Sequence, residues 1–268
     1  MMTPIKTLWI VGCGNMAGAM LARWVAAGTL DAPEIFVLNR RDRDLPAGVR
    51  QGRVLPDGPL PDAVMLGVKP QQLEDVAEQI AGRLAGVPLL ISILAGVEEA
   101  ALSARFDAQA YLRAMPNMPV AIGKGVVALH TDTTDAAMRE RAAALMTPMG
   151  LVEWVDAARF DAVTALAGSG PAFLYRFIDA LAQAGAALDI PAEQAQRMAL
   201  AMVEGATLSA ATASEPPGAL ADRVASPGGS TRAGLNVLDD GRALQSLLTD
   251  TLAASFRRNR ELAAAARE

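Results

Sequence analysis

The chain has 268 residues, 52% of them hydrophobic but only 4% aromatic, with 24 basic and 29 acidic side chains and a formal net charge of −5. Charge that is dispersed and net acidic excludes a nucleic-acid or anionic-membrane partner. The one cysteine, Cys13, excludes an intramolecular disulfide and a cysteine-based metal cluster, and points to a cytoplasmic location.

The length fits one large or two modest domains, each able to bury its own core. Much of the apolar content is alanine, which favours helices. The uncharged run from Leu8 to Ala22 has the look of a signal peptide's apolar region, but Gly12, Gly14, Asn15 and Gly18 argue otherwise. Other uncharged runs, 84–97 and 162–175, are broken by Pro or Gly and fall short of the ~20 residues needed to span a bilayer.

Thr7 to Val11 reads as a strand that stops at Gly12-Cys13-Gly14-Asn15-Met16-Ala17-Gly18, after which Ala19, Met20, Arg23, Trp24 and Ala27 continue as a helix ending at Gly28. The spacing is G-x-G-x-x-A. The first Gly makes the turn, the second admits a pyrophosphate and the small third residue lets helix and strand pack, so a dinucleotide site is weighed here against a purely structural turn. A second strand, Glu34 to Leu38, runs into Asn39-Arg40-Arg41. An NAD-specific site would place an acid there for the ribose hydroxyls; an uncharged residue followed by two guanidiniums favours the extra phosphate of NADP instead. Asp42 and Asp44 are near enough in sequence to pair with those arginines.

Positions 44–62 are rich in Pro, Gly and charge and read as a reduced crossover without a full helix. Ala63 to Val68 is a strand, followed by Lys69-Pro70 and a polar helix over Gln71 to Leu84. Leu89 to Ile93 is a buried strand ending at Leu94-Ala95-Gly96. Ligands of open parallel sheets bind at such carboxyl ends, so Gly67, Val68, Lys69, Pro70, Leu94 and Ala95 are expected to line a cofactor crevice. Lys69 is one of only three lysines, although a Lys at a strand end is commonly just exposed.

Tyr111 to Ala114 leads into Met115-Pro116-Asn117-Met118-Pro119. Asn117, bracketed by prolines, is either a positioned amide near a nicotinamide or part of a simple turn. Val126 to Leu129 and Leu151 to Val155 read as strands with a helix, Thr134 to Met146, between them. His130, the only histidine, follows an apolar run and precedes a polar one, and is expected at the surface, so that a His-dependent metal site or a Ser/His/Asp triad is hard to build and no metal is expected.

From Phe160 onward no strand pattern remains. Helical segments run over 160–187, 192–214, 217–224, 230–238 and from Arg242 to the end. The first holds Ala167-Gly168-Ser169-Gly170-Pro171, where small residues permit a kink or a close backbone approach. Phe173, Tyr175, Phe177 and Leu181 lie on several sides of it, which suggests burial against a partner subunit. Arg257, Arg258 and Arg260 read as a solvated helix face.

The last distinctive stretch is Ser226-Pro227-Gly228-Gly229-Ser230-Thr231 before Arg232-Ala233-Gly234-Leu235-Asn236-Val237-Leu238. Pro and paired Gly forbid a regular element, Ser and Thr are good N-caps, and the apolar residues then recur at helical spacing. Such a loop-to-helix junction presents unpaired N–H groups and a positive dipole end, suited to a small carboxylate. An ordinary capped helix start is the plain alternative.

In order and at these separations, Gly12 to Met16, Val68 to Gln71, Ser92 to Val97, Met115 to Asn117, Gly168 to Ala172 and Asp222 to Thr231 closely resemble the pyrroline-5-carboxylate reductase family, over almost the whole chain. The resemblance implies an α/β N-terminal dinucleotide-binding (Rossmann) domain over 1–158 and an all-α C-terminal substrate and dimerisation domain over 159–268. It implies a homodimer, with family dimers assembling further into rings of five. It also implies reduction of the cyclic imine (S)-1-pyrroline-5-carboxylate to L-proline, the last step of proline biosynthesis, by NADPH with NADH as the alternative. By the same resemblance Val11 to Met16, Asn39 to Arg41, Gly67 to Pro70, Leu94, Ala95 and Asn117 bind the cofactor. Ser226 and Gly228 to Thr231 hold the substrate, with Thr231 at its nitrogen. The chain departs from the family at Met118, where Thr is usual, at Ala167, where Ser is common, at Pro216, where His is frequent, and in its short 44–62 crossover. These departures bear on cofactor preference rather than on the reaction. A hydroxyacid dehydrogenase would rely on a Lys in its first all-helical stretch, and none occurs from Phe160 to Glu268; a non-catalytic NADP-binding regulator would not need the intact 226–231 turn.

Overall fold

The structure, a computed structural model, describes residues 4–265. Contacts divide the chain into two compact units, Met1–Ser169 with Ser255–Glu268, and Gly170–Ala254.

The first unit is built on an eight-stranded sheet: β1 (Leu8–Val11), β2 (Ile35–Leu38), β3 (Arg50–Gly52), β4 (Ala63–Leu66), β5 (Leu90–Ser92), β6 (Tyr111–Pro116), β7 (Gly125–His130) and β8 (Gly150–Trp154). Their order is β3-β2-β1-β4-β5-β6-β7-β8. Every pairing is parallel except β6 with β7, which pair antiparallel through Arg113↔His130 and Met115↔Ala128. The chain leaves β1 for β2 on one side and returns to β4 on the other, so the sheet reverses direction beside β1, where open α/β sheets place their ligand crevice.

The central strands read as unbroken apolar runs because helices cover both faces. On one face lie α1 (Asn15–Ala26) and α4 (Ala136–Met146), with Met20, Leu21 and Trp24 packed on Ile10, Val37, Leu145 and Met146. The Trp24 indole is fully buried and its Nε1 donates to Leu145 O at 2.7 Å, so the ring's one polar atom is satisfied. On the other face α2 (Leu73–Leu84) and the short α3 (Glu99–Ser103) cover Val64, Leu66 and Leu90 with Leu73, Ile80, Leu84 and Leu102. At the amino edge of the sheet Asp62 Oδ2 accepts from Lys6 N (2.8 Å) and Thr7 N (3.0 Å), and Arg141 of α4 stands 3.8 Å from its other oxygen, tying β1, β4 and α4 together.

The crossover from β2 to β4 holds no helix, as its composition suggests, but it does hold an element that composition hides: β3 pairs with β2 through Phe36↔Arg50 and Leu38↔Gly52. His130 is a second correction. Its side chain is only 13% exposed, with Nε2 3.3 Å from Asp132, Nδ1 donating to Val155 O at 3.0 Å, and Phe160 packed edge-on. Burial at this exit of β7 comes from α5 (Ala157–Val163), which brings Phe160 over both His130 and the buried Arg113 guanidinium.

After α5 the helix widens into a π turn over Thr164–Gly168, the site of the small-residue break. The second unit carries α6 (Gly170–Ala186), α7 (Ala192–Thr212), α8 (Pro217–Arg223), α9 (Ser230–Asp239) and the start of α10 (Ala243–Ala265), whose end belongs to the first unit; positions 266–268 of the expected terminal helix lie outside the described residues. Helices α6 and α7 meet through small side chains, with Ala182, Ala195 and Ala199 buried and Gly185 facing Ala195. Large apolar residues of this unit stay exposed, among them Tyr175 at 58%, Met198 at 53% and Leu200 at 56%. Among the described residues no helix is long and apolar enough to cross a membrane.

Candidate active site

The glycine turn stands where the topology demands it. Gly12, at φ +81°, lies in the left-handed region that favours glycine, and a Cβ there would fall 2.5 Å from Val68 Cγ1 and 3.0 Å from Val68 N. A Cβ on Gly67 would meet Gly12 O at 2.5 Å and Ala17 Cβ at 2.9 Å, so Gly12, Ala17 and Gly67 interlock and leave no room for larger residues. Gly14 differs: a Cβ there would meet nothing within 4 Å, which leaves open space above the start of α1. That helix has no side-chain cap, and its first intrahelical bond is Gly18 N to Gly14 O at 2.8 Å. The N–H groups of its first turn are therefore without partners among the described residues, with the positive end of the dipole behind them.

A cavity of about 520 Å³ opens at this point. Its wall is formed by Val11, Gly12, Cys13 and Gly14 after β1, Leu38 to Arg41 and Arg43 after β2, Arg53 after β3, Gly67 to Lys69 after β4, and Gln72, Val76 and Gln79 from the next helical stretch. Ten of the sequence-derived cofactor residues thus meet in one place: Val11, Gly12, Cys13, Gly14, Asn39, Arg40, Arg41, Gly67, Val68 and Lys69. Among the described residues five cationic side chains and no carboxylate line the wall. The sequence pairing of Asp42 with its neighbouring arginines does not form; Asp42 contacts Arg53 at 3.5 Å, and Arg40 turns to Asp75 at 3.7 Å.

Asn39 connects the two ends of this wall. Its Oδ1 accepts from Cys13 N at 2.9 Å, while Nδ2 is buried without a partner. Burial pushes the Cys13 thiol above its ordinary range, so it is a packing group rather than a thiolate. An outward helix start, an open Gly14, a buried unpaired amide donor and a cation-rich wall together fit a dinucleotide with several phosphates. Sequence reasoning missed Arg43, Arg53, Gln72, Val76 and Gln79; the arginine count around 40–53 was the one available signal.

Asn15, Met16, Pro70, Leu94, Ala95 and Asn117 do not line the cavity. Asn15 and Met16 form the first turn of α1, and Pro70 opens the tight turn before α2, where Lys69 N donates to Gln72 Oε1 at 3.1 Å. Leu94 is buried in the second core. Asn117 is 6% exposed and spends its amide on backbone: Oδ1 accepts from Val126 N and Nδ2 donates to Ala167 O, both at 2.9 Å. It is a latch from the β6–β7 turn to the π turn.

In the second unit Gly228, at φ +72°, reverses the chain and Gly229 N donates to Ser226 O at 3.0 Å. Gly229, not Ser or Thr, is the N-cap of α9, so Ser230 and Thr231 are its first two helical residues. The first intrahelical bond is Ala233 N to Gly229 O at 3.1 Å, which leaves the N–H groups of Ser230, Thr231 and Arg232 without partners among the described residues. Arg232 reaches Asp222 of α8 at 2.7 Å and braces the turn. Ser226, Ser230 and Thr231 are exposed, and their hydroxyls are unbonded among the described residues.

A third cluster holds Glu99, His130 and Asp132, whose potential ligand atoms lie within 4.8 Å of one another. Glu99 Oε2 is taken by Asp132 N at 3.0 Å, and burial raises the Glu99 carboxyl and lowers the nearby Arg113 guanidinium. With that cation against it, the cluster reads as a charge network rather than a metal site.

Known proteins resemble this chain over most of its length. A pyrroline-5-carboxylate reductase of Synechocystis is 37% identical over 95% of this chain and 97% of its own length. The chain belongs to the pyrroline-5-carboxylate reductase family. Another pyrroline-5-carboxylate reductase, from Arabidopsis thaliana, is 34% identical over 94% of each chain. The solved structure of a pyrroline-5-carboxylate reductase from Coxiella burnetii superposes with a TM-score of 0.86 at 30% identity, covering 96% of this chain and 98% of that one. The family profile for pyrroline-5-carboxylate reductase dimerisation matches residues 157–262, and that for NADP oxidoreductases, coenzyme F420-dependent, matches 7–96. The second profile spans β1 to the end of β5, and so contains the whole cationic cavity; the first contains the 226–231 turn.

Proposed function

We propose that this chain reduces 1-pyrroline-5-carboxylate to L-proline with NADPH, NADH serving as the alternative reductant. The observation that carries the reading is the turn at 226–231, where among the described residues three N–H groups at a helix start and three hydroxyls are without partners, in a chain whose other unit bears a cationic dinucleotide cavity. Those N–H groups and the dipole of α9 bind the substrate carboxylate. The Thr231 hydroxyl accepts from the ring N–H of the protonated imine and orients the C=N bond. Pyrrolines are basic enough to enter protonated, so the proton on nitrogen is already present and no general acid is required. Gly12 and Gly14 let the pyrophosphate approach the backbone, Asn39, Arg40 and Arg41 hold the adenosine ribose and its phosphate, and bound NADPH supplies a hydride that makes the new C–H bond. The imine nitrogen takes the electron pair and becomes the amine.

The exposed apolar side chains of α6 and α7 support a homodimer as the working unit. The test is NADPH absorbance with pyrroline-5-carboxylate. Wild-type protein should oxidise NADPH only when the imine is present. Thr231→Ala should lower kcat/KM by the worth of one oriented hydrogen bond, about 1–3 kcal/mol or five- to 150-fold. No oxidation by folded protein that binds NADP+ would overturn the reading.

A further inference from the structure

The strand that composition concealed also has a use. Gly52 O accepts from Asn39 N at 3.0 Å, which sets Arg53 beside Asn39 and Arg40 at the carboxyl edge of the sheet, where the adenosine ribose of a bound dinucleotide belongs. From β3, Gln51 grips the loop after β2 by both ends of its amide: Arg43 N donates to Oε1 at 3.0 Å and Nε2 donates to Arg43 O at 2.9 Å. Arg53 adds Nε to Arg40 O at 3.4 Å and Nη2 to Asp42 at 3.5 Å. The loop is therefore pinned along its length by an edge strand.

The four arginines of the cavity are not equivalent. Arg40 is drawn to Asp75 at the rim, and Arg41 and Arg43 are carried on the loop itself. Arg53 alone directly follows a strand, just past the end of β3, with its guanidinium tethered at two points. Its ion pair with Asp42 is long and open to water on both sides, a kind of contact that holds weakly and exchanges readily. A phosphate monoester accepts two N–H bonds from one guanidinium and carries nearly two charges, so it displaces such a carboxylate.

Resting on the dinucleotide reading of this cavity, we propose that Arg53 is the residue that distinguishes a ribose bearing a 2′-phosphate from one bearing a 2′-hydroxyl, and that it exchanges Asp42 for that phosphate on binding. The test is calorimetric titration with adenosine 2′,5′-bisphosphate and with adenosine 5′-monophosphate, which needs neither imine nor turnover. Arg53→Gln should weaken the bisphosphate about ten- to a hundredfold while leaving the monophosphate within about twofold, the control that the pocket still folds. Asp42→Asn should tighten the bisphosphate and leave the monophosphate alone. Equal loss of both ligands in Arg53→Gln, or a loss of neither, overturns the assignment while wild-type binding keeps the dinucleotide reading intact. Wild-type protein that binds neither ligand overturns the dinucleotide reading and this assignment together.

Discussion

Gly12 and Gly14 are two residues apart in one turn, yet their replacement by alanine should have opposite consequences. At Gly12 a methyl meets the backbone of Val68 as well as its side chain, at 2.5 to 3.1 Å, and φ is +81°. The left-handed conformation costs an L residue about 1–2 kcal/mol and overpacking against an immovable strand end adds about 1–3, so Gly12→Ala should lose about 2–5 kcal/mol of stability. At Gly14 the backbone is extended, φ −78° and ψ −167°, and the new methyl meets no atom within 4 Å. Gly14→Ala should therefore lose only the difference between Gly and Ala at a helix N-cap, about 0.5–1 kcal/mol. Its methyl instead occupies the space through which a pyrophosphate reaches the first turn of α1, and NADP+ affinity should fall at least tenfold, about 1.4 kcal/mol. Urea denaturation gives the first pair of values and quenching of Trp fluorescence by NADP+ the second. A Gly14→Ala protein that binds NADP+ as wild type does, or is destabilised as much as Gly12→Ala, would refute this account of the turn.

Asn117→Ala strands both Val126 N and Ala167 O, and should cost about 2–4 kcal/mol, read as a lower denaturation midpoint with faster amide exchange at Val126; an unchanged midpoint would show the latch to be idle. The Asp62 carboxyl titrates below its ordinary 3.8: burial alone would raise it, but the N–H groups of Lys6 and Thr7, the Thr7 hydroxyl and the Arg141 charge outweigh burial. Because the folded value lies below the unfolded one, this carboxylate stabilises the fold above the unfolded pKa and loses that contribution as pH falls through the folded pKa. The stability gap between wild type and Asp62→Asn should accordingly be full near neutrality and shrink on acidification to about pH 3; a gap independent of pH would count against the arrangement.

Where sequence and structure agree, the signal is local. In β1, the glycine turn and α1, hydrophobic period, turn chemistry and spacing all point the same way within some twenty residues, and the fold follows from them. The all-helical second half was legible for the same reason. What escaped is set by partners remote in sequence. Arg50-Gln51-Gly52 has no apolar pattern because β3 is an edge strand with Arg50 and Gln51 exposed, and only its pairing with β2 defines it. Asn117 draws its role from Val126 and Ala167, and His130 its burial from Phe160, none of them visible from the neighbouring residues. At 226–231 the junction was legible but not its cap, because the positive φ of Gly228 shifts the helix start one residue earlier than the hydroxyls suggest and leaves them unbonded.

The bond from Cys13 N to Asn39 Oδ1 fixes which end of that amide is left buried and unpaired. An aspartate at the same position would keep the acceptor that Cys13 requires and replace only the buried donor by a second acceptor. The hold on the glycine turn would survive the exchange, and the cavity wall would gain a negative charge among its cations. One side chain thus joins the glycine turn to the second strand's end, so that the charge of the wall can change without touching the turn.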